Sequence, residues 1–146
     1  MNLLLDTNVF IDYLGRKPPF FEAAQRVVVA GFFGDAKLWV PATSLKDAFY
    51  VLSRYVDPLR VQQAFLKVCE IVTPVDVTAE DALRAARLEW DDYEDCLVAC
   101  CADKVRADYL VTRDAAGFAR SCVPVTSPGE RLAMMERDHR LSYGVE

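Results

Sequence analysis

The sequence predicts an α/β fold: a central, mostly parallel sheet of about five strands with helices on both of its faces. Short apolar runs rich in β-branched and aromatic residues recur at 2–5, 38–41, 71–75, 109–112 and 123–126. The stretches between them carry apolar residues at helical spacing. Strands alternating with helices pair in parallel, because each helix returns the chain to the edge from which the last strand started. At 146 residues and 53% hydrophobic content, the chain can build one real core and has little room for a second. Residues 1–130 form the expected domain, and 131–146 the end of a last helix and a polar tail.

The elements follow in order. Asn2-Leu3-Leu4-Leu5 is a buried strand that ends on Asp6, and a helix over 8–14 comes next. Arg16-Lys17-Pro18-Pro19 is a turn into a helix over 20–33. Leu38-Trp39-Val40-Pro41 is the second strand, and Thr43-Ser44 reads as the cap of a helix over 44–55. Asp57-Pro58 supplies a cap and a first-turn proline for a helix over 58–69. After the strand at 71–75, Thr78 before Ala79-Glu80-Asp81 opens a helix over 79–89. An acidic loop leads into a helix over 94–106, the strands at 109–112 and 123–126 follow, and a helix over 129–137 closes the chain.

The formal charge of -5 and a pI near 4.9 argue against binding nucleic acid through a broad basic field. Phosphate chemistry on such a chain needs cations from outside it. The five cysteines are Cys69, Cys96, Cys100, Cys101 and Cys122; they are odd in number, lack a CxxC, and put three members in one apolar helical stretch. That pattern suits reduced, buried thiols in a cytoplasmic protein. A zinc site is disfavoured, since the single histidine, His139, stands far from every cysteine. The longest apolar stretch, Val27 to Gly34, is too short to span a bilayer, so no membrane association is expected.

Four aspartates sit at strand ends or helix starts, where open parallel sheets place their ligand crevices. Asp6 closes the first strand, although an aspartate there also suits a helix cap. Asp47 follows the second strand; with Ser44 as cap it would fall at the third helical residue and complete a capping box. Asp95 belongs to Asp91-Asp92-Tyr93-Glu94-Asp95, whose four carboxylates exceed what dipole compensation requires. Asp114 follows the fourth strand beside Thr112 and Arg113, and a turn aspartate would explain it equally well. Parallel connectivity brings the four together, and four carboxylates stay ionised only with compensation. Mg2+ supplies it through oxygen ligands while keeping several waters.

These segments resemble the PIN-domain ribonucleases, including the VapC-like toxins of bacterial toxin-antitoxin pairs. The likeness covers Leu3 to about Pro128 and is carried by LLLDTNVFIDYL, PATSLKDAFYVLSR, DYEDCLVACCADKVRADYLVTRD and VPVTSPGE. It implies a three-layer α/β/α fold, a Mg2+ or Mn2+ site, an RNA substrate and a small antitoxin partner. It makes Asp6, Asp47, Asp95 and Asp114 the four acidic positions and Thr112 the hydroxyl that steadies water or a neighbouring carboxylate. Two departures stand out: glutamate is frequent where Asp47 stands, and Arg113 replaces an asparagine, so it either assists phosphate binding or quenches the site. Asp92, one turn before Asp95, is a supporting carboxylate. A homodimer is expected because symmetric dimers are the commonest assembly.

The leading expectation is a metal-dependent endoribonuclease. The alternative is a catalytically inactive PIN-like module that binds RNA or protein, with Phe20, Phe21, Phe32, Phe33, Phe49 and Tyr50 as groove-lining candidates. A phosphotransfer domain with Asp6 as nucleophile is disfavoured, since Asn8 stands where a second aspartate belongs.

Overall fold

A computed structural model describes residues 1–139. Its sheet contains β1 (Asn2–Leu5), β2 (Lys37–Pro41), β3 (Val72–Val75), β4 (Tyr109–Val111) and β5 (Val125–Thr126). The strand order is β3-β2-β1-β4-β5, and every pairing is parallel. Among the described residues seven α-helices connect and flank the strands: α1 (Thr7–Leu14), α2 (Phe21–Phe32), α3 (Ala42–Leu52), α4 (Pro58–Val68), α5 (Ala79–Arg87), α6 (Tyr93–Lys104) and α7 (Pro128–His139). A short 3-10 helix, Ala115–Phe118, follows β4.

Side-chain alternation along β1 divides the core in two, as the period of a strand requires. Leu3 and Leu5 join Leu38, Val40, Val72 and Val111 under α1 to α4 and α7. Leu4 and Leu110 face the other way, onto Val98, Ala99, Cys101 and Ala102 of α6. The result is the expected three layers. α7 crosses residue 130, and its Leu132 and Met135 belong to the first core cluster; the polar tail from 140 onward lies outside the described residues.

Sequence-read starts hold where a side chain closes the helix locally. Asp57 accepts the N–H of Leu59, and Thr78 with Asp81 forms a reciprocal capping box. The start of α3 is a correction. This helix begins at Ala42, two residues before the expected 44, and has no side-chain cap. The Ser44 hydroxyl is instead buried and hydrogen-bonded to Thr7 Oγ1 at 2.7 Å, tying α3 to the start of α1.

Candidate active site

The strand order reverses beside β1: the chain steps outward through β2 and β3, then returns to place β4 on the other side of β1. Ligand crevices of open parallel sheets form at the carboxyl ends of strands at such a switch point. Asp6 ends β1, and Thr112 to Asp114 leave β4 immediately beside it. The backbone joins them through the Asp6 N–H and the Val111 carbonyl at 2.9 Å.

Asp6 is only 6% exposed. Its Oδ1 accepts the Thr7 N–H at 2.7 Å, so it does cap α1, and Thr7 is the first helical residue. Its Oδ2 accepts the Thr112 hydroxyl at 2.7 Å. The Thr112 oxygen in turn accepts the Asp114 N–H at 3.0 Å and the Asn8 Nδ2 at 3.4 Å. One donation and two acceptances exhaust a hydroxyl. Thr112 is therefore a fixed junction between Asp6, Asn8 and the Asp114 turn. Because its one proton goes to Asp6, the Asn8 amide must present nitrogen to Thr112, which leaves the buried Asn8 Oδ1 without a partner.

Asp95 stands in the first turn of α6, whose cap is Asp92, accepting the Asp95 N–H at 3.0 Å. Burial, followed by the charges of Asp92, Asp6, Asp114 and Glu94, pushes the Asp95 carboxyl up to about 6. Burial also raises Asp6, opposed by the Thr112 hydrogen bond and reinforced by the charges of Asp114 and Asp92. Asp114 caps the 3-10 helix, accepting the Gly117 N–H at 3.4 Å. Gly117 lets Asp95 and Asp114 approach the same backbone: a Cβ there would fall 2.5 Å from Asp95 Oδ2 and 3.1 Å from Asp114 Oδ2.

A cavity of about 740 Å3 opens over Asp6 and Asp95, with Asn8, Asp47 and Glu94 also among its lining residues, while Thr112 and Asp114 lie outside the lining. Asp47 faces it from α3. Since α3 starts at Ala42 with Pro41 as its cap, Asp47 is the sixth helical residue and closes no capping box. Asp6, Asp95 and Asp114 thus meet as a charge-coupled group, with Asp47 on the cavity wall. Arg113 pairs with a carboxylate of α1 rather than with one of the four site aspartates. Its guanidinium donates to Asp12 at 2.6 and 3.3 Å, stacks 3.9 Å from the Phe20 ring centroid, and lies outside the cavity lining.

Several lining residues escaped the sequence reading. Asn8 and Lys46 both line the cavity. Of the aromatic groove candidates, Phe49 packs on the core, while Phe32, Phe33 and Tyr50 are exposed. The signal available for Lys46, Asp47, Tyr50 and Val51 was their shared face at i, i+3 and i+4 spacing on a helix.

The sequence matches the family profile of the PIN domain over residues 2–116. The chain belongs to the PIN-domain family. No curated protein matches it closely. Solved structures resemble this PIN domain in fold. A chain of VapBC2 from Rickettsia felis, bound to a promoter DNA fragment, is 17% identical with a TM-score of 0.65, covering 87% of this chain and 98% of that one. VapBC-1 from nontypeable Haemophilus influenzae gives 17% identity and a TM-score of 0.64 over 88% of this chain and 99% of that one. FitAcB from Neisseria gonorrhoeae gives 18% and 0.61 over 87% and 98%.

Proposed function

We propose that this PIN domain is a Mg2+- or Mn2+-dependent endoribonuclease and the toxin of a toxin-antitoxin pair. The observation that carries the reading is the meeting of Asp6, Asp95 and Asp114 at the switch point, where each carboxylate raises the cost of ionising Asp95.

The donor set suits a hydrated hard cation. Among the described residues no three acidic, cysteine or histidine side chains close on a single point. Mg2+ does not need that, since it keeps several waters and uses one or two carboxylates. The uncompensated negative charge at Asp6 and Asp95 and the unpartnered Asn8 Oδ1 give such an ion and its waters their ligands. Asp6 and Asp95 would hold it, with Asp114 and Asp47 reached through its waters. A divalent ion bound here supplies the positive charge that admits a phosphodiester and activates water for in-line attack.

The chain's own residues do the positioning. Thr112 fixes the Asp6 carboxylate through Oδ2 and holds the Asp114 turn through its backbone N–H. Asp92 fixes the first turn of α6 that carries Asp95, accepting the Asp95 N–H at 3.0 Å. The VapBC and FitAcB structures among the fold relatives support a small antitoxin partner, and the unpaired cysteines support a cytoplasmic site of action. A homodimer is the assembly proposed.

The test is RNA cleavage by the purified protein with added Mg2+ or Mn2+, wild type against Asp6→Asn. A loss of about 100-fold or more is expected, since even outer partners at metal sites are worth 10–100-fold. Equal cleavage by the two proteins would overturn the assignment, and no cleavage by either would leave an inactive binding module.

A further inference from the structure

The cavity above the carboxylates has an exposed aromatic ring on each side. Tyr50 of α3 and Tyr93 of α6 both line it, at 66% and 44% exposure. Tyr93 is anchored by its hydroxyl, which donates to the Ala82 carbonyl at 3.0 Å. Tyr50 has a different setting. The Arg54 guanidinium lies 4.4 Å from its ring centroid, and Lys46, one helical turn earlier, lines the cavity beside it. Neither Lys46 nor Arg54 joins an ion pair among the described residues.

Two spare cations around an exposed ring on an acidic chain select the occupant. An apolar peptide laid over Tyr50 would strip water from Lys46 and Arg54 without replacing it, which is costly for unpaired charges. A polyanion with flat apolar faces satisfies all three side chains. Duplex bases have their faces stacked on one another, so only a single strand can offer one to the ring. Resting on the ribonuclease reading above, we infer that Lys46, Tyr50 and Arg54 form a strip that binds single-stranded RNA and leads it into the carboxylate cavity. One base stacks on Tyr50, and Lys46 and Arg54 take the flanking phosphates.

The experiment measures binding of a fluorescent single-stranded oligoribonucleotide by anisotropy in Mg2+, on an Asp95→Asn background that leaves the RNA intact. The single strand should bind more tightly than a duplex of the same sequence. Tyr50→Leu should weaken binding by about 5- to 150-fold, the range for one lost aromatic stack, and Tyr50→Trp should retain it. Lys46→Ala and Arg54→Ala should each reduce the salt slope by about 0.7. The strip is overturned if Tyr50→Leu binds like its parent or if the duplex binds as well. It is equally overturned if Tyr50→Leu spares RNA but loses a co-expressed protein partner. The two readings separate cleanly. Loss of cleavage in Asp6→Asn with binding indifferent to Tyr50 removes the strip alone, while Tyr50-dependent binding without cleavage by wild type removes the nuclease alone.

Discussion

Asp95 and Asp6 share one demand at the level of the single residue. Each is more easily neutral when folded than in the open chain, chiefly because it is buried. For Asp95 the folded value of about 6 exceeds the ordinary 3.8, so the folded state binds more protons between those values. Stability from this group is therefore present at low pH and lost as pH rises past about 6. In chelator at pH 7.5, Asp95→Asn should raise Tm by about 3 °C, the shift that 1 kcal/mol gives near this length. Below the open-chain value of 3.8 the two proteins should melt together; a wild type that stays the more stable at pH 7.5 would refute the assignment of strain to Asp95. Thr112 works the other way, since its hydroxyl stabilises the charged Asp6. Thr112→Val leaves that buried carboxylate one donor short and should cost about 2 kcal/mol in urea unfolding, with Thr112→Ser restoring it. An equal cost at pH 4, where Asp6 carries less charge, would point to packing instead. Asp6 itself was legible because a charge ending an apolar run is conspicuous; Asn8 was not, since its orphaned oxygen exists only once Thr112, 104 positions away, has claimed its nitrogen.

Among the elements, those closed by neighbours in sequence were readable and those closed by distant partners were not. Asp57 and Thr78 cap their helices through residues two and three positions on. Ser44 has an equally good capping sequence, yet its hydroxyl goes to Thr7, 37 positions away, and α3 starts without it. That shift of two residues turned Asp47 from a capping-box acid into a cavity residue. The loop after β4 follows the same rule. Arg113 could not be assigned from sequence because its partner, Asp12, lies 101 positions earlier on α1. Asp12 is 1% exposed and Arg113 is partly open to solvent, so removing the arginine strands a buried charge. Arg113→Ala should cost about 3 kcal/mol. Asp12→Ala added to it should recover part of that loss, because the orphaned carboxylate is gone. Strictly additive losses in the double-mutant cycle would mean that the pair does not clamp the Thr112 to Asp114 loop onto α1.

For the whole molecule, alternation of strands and helices announced a parallel sheet, but the order β3-β2-β1-β4-β5 is a tertiary fact that no local pattern encodes. That order sets β1 against β4 and so joins residues near 6 to residues near 112. It also concentrates negative charge at one sheet edge of a chain already at -5. A divalent ion that binds only the folded edge must stabilise the fold by mass action, about 1.4 kcal/mol for each tenfold rise in free ion above its Kd. Wild-type Tm should therefore climb steadily with Mg2+ and fall back on chelation. Asp95→Asn starts higher without the ion, having shed the repelled carboxylate, and climbs less because it has lost a ligand. The two titration curves should cross. Parallel curves would show that Asp95 does not hold the ion, and a flat wild-type curve would remove the metal from the site altogether.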